Sequence, residues 1–123
     1  MNDDSQTTQL CILGTQAEFA GDLTLAQMHY RQAWEAAESD FERCIAAHYL
    51  ARCFIDPVAR LEWNRAALHY AERSKDERTA AFFPSLYLCL GQSYEHTGEL
   101  ALAQEFYDRA ANLGFPHDLG YQG

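Results

Sequence analysis

The chain has 123 residues, 48% hydrophobic and 13% aromatic, enough for one domain with a core and too few for two. Nine basic residues against 18 acidic ones leave a formal charge of -9, which argues against nucleic acid or an anionic membrane surface as partner, because the summed field repels both. No stretch approaches the roughly 20 apolar residues of a membrane-spanning helix, and MNDDSQTTQL lacks the basic start and apolar run of a secretory signal, so a cytoplasmic location is expected.

In chain order, residues 1–6 read as a flexible N-terminus and six helices follow, over about 6–19, 22–38, 40–54, 57–74, 77–97 and 99–113. Good helix formers fill them, and no β-branched run alternates with polar residues as a strand would. In the second helix Leu23, Ala26, Tyr30, Ala33, Trp34 and Ala37 recur at three- and four-residue steps; Leu100, Ala103, Tyr107, Ala110 and Leu113 do so in the sixth. Asp22 and Glu99 each follow a glycine, as an acidic helix start after a turn does. Ser39 and Asp40 can cap the third helix, and Asp56 before Pro57 the fourth. Connections of two to three residues predict antiparallel neighbours. Residues 114–123 form a tail.

The sequence also repeats. Leu13-Gly14, Gly21, Asp22-Leu23, Ala26, Tyr30 and Ala33 match Leu90-Gly91, Gly98, Glu99-Leu100, Ala103, Tyr107 and Ala110. A third copy between them keeps Ala47, Ala59, Trp63 and Ala66 at the corresponding places but lacks both glycines. The small residues let paired helices approach, and the aromatic fills the wedge behind them. This pattern resembles the tetratricopeptide repeat, a helix-turn-helix unit of about 34 residues. The resemblance covers residues 7–40, 40–73 and 84–117, with an insertion near 74–83 that is expected to lengthen the fourth and fifth helices into a projecting ridge.

The resemblance implies an all-α superhelix (solenoid) of three repeats, a single domain over 7–113, with a concave groove lined by the first helix of each pair. The residues carried over to that groove are Thr8, Cys11, Thr15 and Glu18, then Phe41, Cys44, His48 and Arg52, then Ser85, Leu88, Gln92, Glu95 and His96. Some members clamp acidic chaperone tails with lysine, asparagine and arginine; those positions here hold Cys11, Thr15, Ile45, Ser85 and Cys89, so that ligand is not expected.

Chemistry is poorly signalled. The four cysteines, Cys11, Cys44, Cys53 and Cys89, lack CxxC spacing and read as free thiols buried in helices. Cys44 and His48 lie four apart, but without sequence-local ligand spacing they read as core and groove residues, and no metal is expected. Ser39, Ser74 and Ser93 read as a cap, a helix end and a helix surface. No phosphate-binding glycine loop or nucleophile elbow occurs, so no cofactor and no enzymatic role is expected.

A solenoid exposes apolar surface at its last unit unless something covers it. Leu102, Phe106, Arg109 and Leu113 are expected on that outer face, covered either by a tail carrying Phe115, Leu119 and Tyr121 or by a second copy, making a homodimer. The leading expectation is a protein-binding module that holds a peptide or helix of a partner. A self-assembling scaffold and a regulatory peptide-sensing subunit are the alternatives.

Overall fold

The computed structural model describes residues 5–117 and contains six α-helices, with no strand among the described residues. They are α1 (Gln6–Phe19), α2 (Leu23–Ala36), α3 (Asp40–Ala51), α4 (Pro57–Arg73), α5 (Phe83–His96) and α6 (Leu100–Asn112). A 3-10 turn, Glu77–Phe82, precedes α5. Residues 1–4 and 118–123, with Leu119 and Tyr121, lie outside the described residues.

Side chains satisfy three of the helix starts that the sequence marks, whereas Glu99, at the start of α6, makes no capping bond with its side chain. Ser39 accepts from the Glu42 amide at 3.1 Å, and Asp22 and Asp56 from Leu25 and Ala59, each at 3.0 Å. Gly21 and Gly98, at φ +82° and +84°, end α1 and α5 in a conformation other residues adopt only with strain. Past them the amides of Asp22 and Glu99 turn back to the carbonyls of Ala17 and Tyr94, at 2.9 and 2.8 Å.

Consecutive helices pack together: α1 on α2, α3 on α4, α5 on α6, with α2 against α3 and α4 against α5 joining the pairs. One core, around Tyr30, Ala33, Ala46 and Leu50, serves α1 to α3; the other, around Cys44, Leu61, Leu68, Leu86, Leu90 and Phe106, serves α3 to α6. Trp34 and Trp63 border both and meet edge to face at 5.1 Å.

The first and last hairpins share an atomic arrangement. A Cβ on Gly14 would fall 2.3 Å from the Tyr30 ring, and one on Gly91 2.4 Å from the Tyr107 ring. Tyr30 donates its hydroxyl hydrogen to Glu18 at 2.5 Å, and Tyr107 to Glu95 at 2.7 Å. Thr7 adds a buried bond from its hydroxyl to the Ala33 carbonyl at 3.0 Å.

The insertion departs from expectation. α4 stops at Arg73 and α5 starts at Phe83 with Pro84 in its first turn, so the intervening residues form a separate element and not two lengthened helices. It folds inward. Ser74 and buried Thr79 share a 2.6 Å bond, Phe82 packs on Phe41 at 6.0 Å, and Arg78 stands 4.3 Å above the Phe41 ring. Burial of Phe82 outweighs continuation of the helix. α3 is also shorter than expected, ending at Ala51.

Gly91→Ala should destabilise the fold by about 1–3 kcal/mol, because the new methyl displaces a packed ring. In a Tyr107→Leu background it should cost less, since the clash is gone. Urea denaturation of the four chains measures this; equal costs in both backgrounds would place the ring away from Gly91.

Candidate functional site

Two hollows collect most of the residues that the sequence marks for a groove, and α1, α3 and α5 contribute to them. The first is an apolar trough of about 660 Å³ between α1, α3 and the 3-10 turn. Thr8, Cys11, Thr15 and Phe41, four of the residues assigned to a groove, line it. So do Ile12, Phe19, Ile45, Tyr49 and Phe82, which the sequence reading did not select. Phe19 is 88% exposed and Ile12 52%, so apolar surface faces solvent along one side of α1.

The second hollow, about 290 Å³, is polar and lies between the end of α3, the start of α4, and α5. Glu18, Arg52, Gln92 and His96, four more of the residues assigned to a groove, line it together with Arg60, Asn64, Cys89 and Ser93. Arg52 Nε donates to Glu18 Oε2 at 3.3 Å. Arg60 donates from Nε and Nη2 to the carbonyls of Phe54 and Arg52, at 3.0 and 3.5 Å. Asn64 donates to the Ser93 hydroxyl at 2.8 Å. The i, i+4 spacing of Arg60 and Asn64 on α4 is the sequence signal for these two, but α4 is the second helix of its pair, and the repeat pattern assigns the wall to the first.

Several expectations need correction. Cys44 points into the core, fully buried, and Ile45 takes the trough position beside it. Ser93 is buried and bonded to Asn64, not a helix-surface residue. Ser85, Leu88 and Glu95 line neither hollow, Glu95 accepting from Tyr107. His48 lies under Phe82, ring centres 6.4 Å apart. Phe106 is only 9% exposed: it packs against Tyr94 and Tyr87 of α5 at 5.7 and 6.0 Å, and the Arg109 guanidinium covers its ring at 4.7 Å. α5 supplies two tyrosines at this height, so Phe106 is drawn inward. Leu102 is half-buried and Leu113 exposed, and in the tail the His117 ring lies tilted by 49° against Tyr107, ring centres 4.6 Å apart.

Burial pushes the thiols of Cys11 and Cys44 up to about 12 and that of Cys53 to about 11; Cys89 is also raised. Thiolate, the nucleophilic form, is therefore scarce at neutral pH. Among the described residues no group of three or more His, Cys, Asp or Glu side chains is placed to hold a metal ion, and no helix is long and apolar enough to cross a membrane. No family model, curated protein or solved structure matches the chain.

Two outcomes are expected. Cys11 and Cys44 should react with an aromatic disulfide reagent only on unfolding, which thiol counts with and without urea would show; immediate reaction of all four thiols would contradict this burial. Desolvation, with a smaller push from Arg52, lowers His48 to about 4. The unfolded chain takes that proton below about pH 6.5, so the fold loses stability as pH falls from there toward 4. Melting curves between about pH 7 and pH 4.5 should show a smaller loss for His48→Leu than for the native chain. Parallel losses would mean His48 is as solvated folded as unfolded.

Proposed function

We propose that this protein is a small helical-repeat module of the tetratricopeptide type that binds a segment of a protein partner across the face made by α1, α3 and α5. Support for the repeat reading comes from the equivalence of the outer hairpins, where glycine, tyrosine and glutamate recur in one arrangement, and from the packing of each helix pair on the next. On this reading the three units form a right-handed solenoid over 7–113 and the two hollows open on its concave side.

The observation that carries the binding reading is the trough. Its floor is apolar (Phe41, Ile45, Phe82), and its rim holds Phe19 and Ile12 in solvent. Contiguous apolar surface of this kind marks a place where another surface docks. The occupant that fits is a short segment, helical or extended, that presents two or three apolar side chains. The one thiol in the trough, Cys11, is held protonated, which supports recognition over catalysis.

Selection of displayed peptides on the native chain tests this. The selected sequences should share apolar anchors. Their affinity should fall about ten-fold or more, about 1.4 kcal/mol, for Ile12→Glu combined with Phe19→Glu, and stay unchanged for Phe115→Glu, an exposed residue away from the trough. Equal binding by both variants would remove the trough from the binding surface.

A further inference from the structure

The trough face carries knobs as well as a hollow. Phe19 and Ile12 stand in solvent on α1, beside a floor of Phe41, Ile45 and Phe82. A projecting aromatic next to an apolar recess makes a patch that can be complementary to itself. In a two-fold pair each copy's knob enters the other's recess, so one patch is used twice. Any other occupant must bring a recess of its own for Phe19 or leave that ring in water. The hydroxyls of the trough are engaged within the chain: Thr15 donates to the Cys11 carbonyl at 2.9 Å, and Thr8 accepts from the Ser5 hydroxyl at 2.9 Å. They offer little to an extended main chain. A helix satisfies its own backbone and suits such a wall, and α1 is a helix with apolar knobs.

Charge selects among helical occupants. Every exposed residue of α1 is uncharged: Gln6, Gln9, Ile12, Leu13, Gln16 and Phe19. Its one carboxylate, Glu18, accepts from Tyr30 at 2.5 Å and from Arg52 at 3.3 Å. By contrast α2, α4 and α6 expose carboxylates, at Glu35, Glu62 and Glu105 among others. Arg78 is the one charged side chain lining the trough among the described residues, and Asp76 accepts from its Nε and Nη2 at 3.0 and 2.8 Å. The patch is thus neutral in a chain that carries -9. A basic partner is drawn to the carboxylate faces. A second copy is repelled from them and approaches best through a neutral one. We propose that the trough receives α1 of a second copy in a two-fold dimer, with Phe19 of each chain seated in the trough of the other. The proposal deepens the protein-binding reading: it rests on the trough as the docking place and names the partner.

Light scattering on the full chain, from low micromolar to millimolar concentration, tests it together with NMR. The mass should rise from 14.0 kDa toward twice that value. In an equal mixture of isotope-labelled and unlabelled chain, filtered NOE spectra should connect the Phe19 ring of one copy to the Ile45 methyls of the other. Phe19→Glu should raise the dissociation constant about ten-fold or more, and Ile12→Glu should raise it as well. Both positions are exposed, so the variants keep the monomer fold. Leu113→Glu, exposed just past α6, should change nothing. The proposal is overturned if the chain stays at 14.0 kDa throughout, if Phe19→Glu and Leu113→Glu weaken association equally, or if no NOE crosses from Phe19 to the trough of the other copy. A monomer would leave the peptide selection on the trough untouched. Conversely, a dimer that depends on Phe19 stands even if that selection yields no peptide.

Discussion

At Gly14 the backbone of α1 lies against the ring of Tyr30, and at Gly91 that of α5 lies against Tyr107. A single absent Cβ sets the distance between the helices of each hairpin. At that distance alanines close the remaining gap: Ala26 and Ala33 in the first hairpin, Ala103 and Ala110 in the last, all fully buried. The tyrosine hydroxyl then reaches a glutamate one turn beyond the glycine, which ties the aromatic to the other helix by a polar bond at the rim. Apolar contact and hydrogen bond thus specify one relative position for the pair.

The middle hairpin has Ala47 and Trp63 in those roles, and its larger aromatic has a second task. Trp63 meets Trp34 edge to face and stacks on Phe54 at 6.3 Å. The two tryptophans border both cores, so the middle unit holds the outer ones together. The insertion follows from the same economy of apolar surface. Phe82 finds Phe41 and His48, covers the imidazole, and becomes one wall of the trough. A stretch that looks like extra helix in the sequence thereby shapes a candidate binding surface.

Helix starts were legible because each rests on local chemistry: an oxygen at Ser39, Asp22 or Asp56 beside unpaired amides. The glycine–tyrosine pairing was legible because it recurs at two places with one spacing. The path of residues 77–82 was not, since it depends on contacts with α3, more than 25 residues earlier in the chain. Facing within a helix was only partly legible. Cys44 and Ile45 are neighbours, about 100° apart, and periodicity alone does not say which one the trough receives. Phe106 shows the same limit: its burial is decided by Tyr87 and Tyr94, which no local pattern connects to it. The polar hollow is only half legible, because Arg60 and Asn64 come from α4, the helix that the repeat pattern assigns to the outer layer.

The packing device and the polar hollow share a residue. Burial and the adjoining Glu18 carboxylate keep the Tyr30 phenol protonated well above its usual range, so it remains a donor to Glu18 Oε1. That leaves Glu18 Oε2 for Arg52, and the ion pair sets Arg52 at the mouth of the hollow. Thr15, one position past the critical glycine, shares the Tyr30 hydroxyl at 3.2 Å and lines the trough. A single tyrosine therefore closes the first hairpin, borders the apolar site through Thr15 and orients the polar one through Glu18. Loosening that hairpin would disturb both hollows together, whereas changing Arg60 or Phe19 disturbs only one.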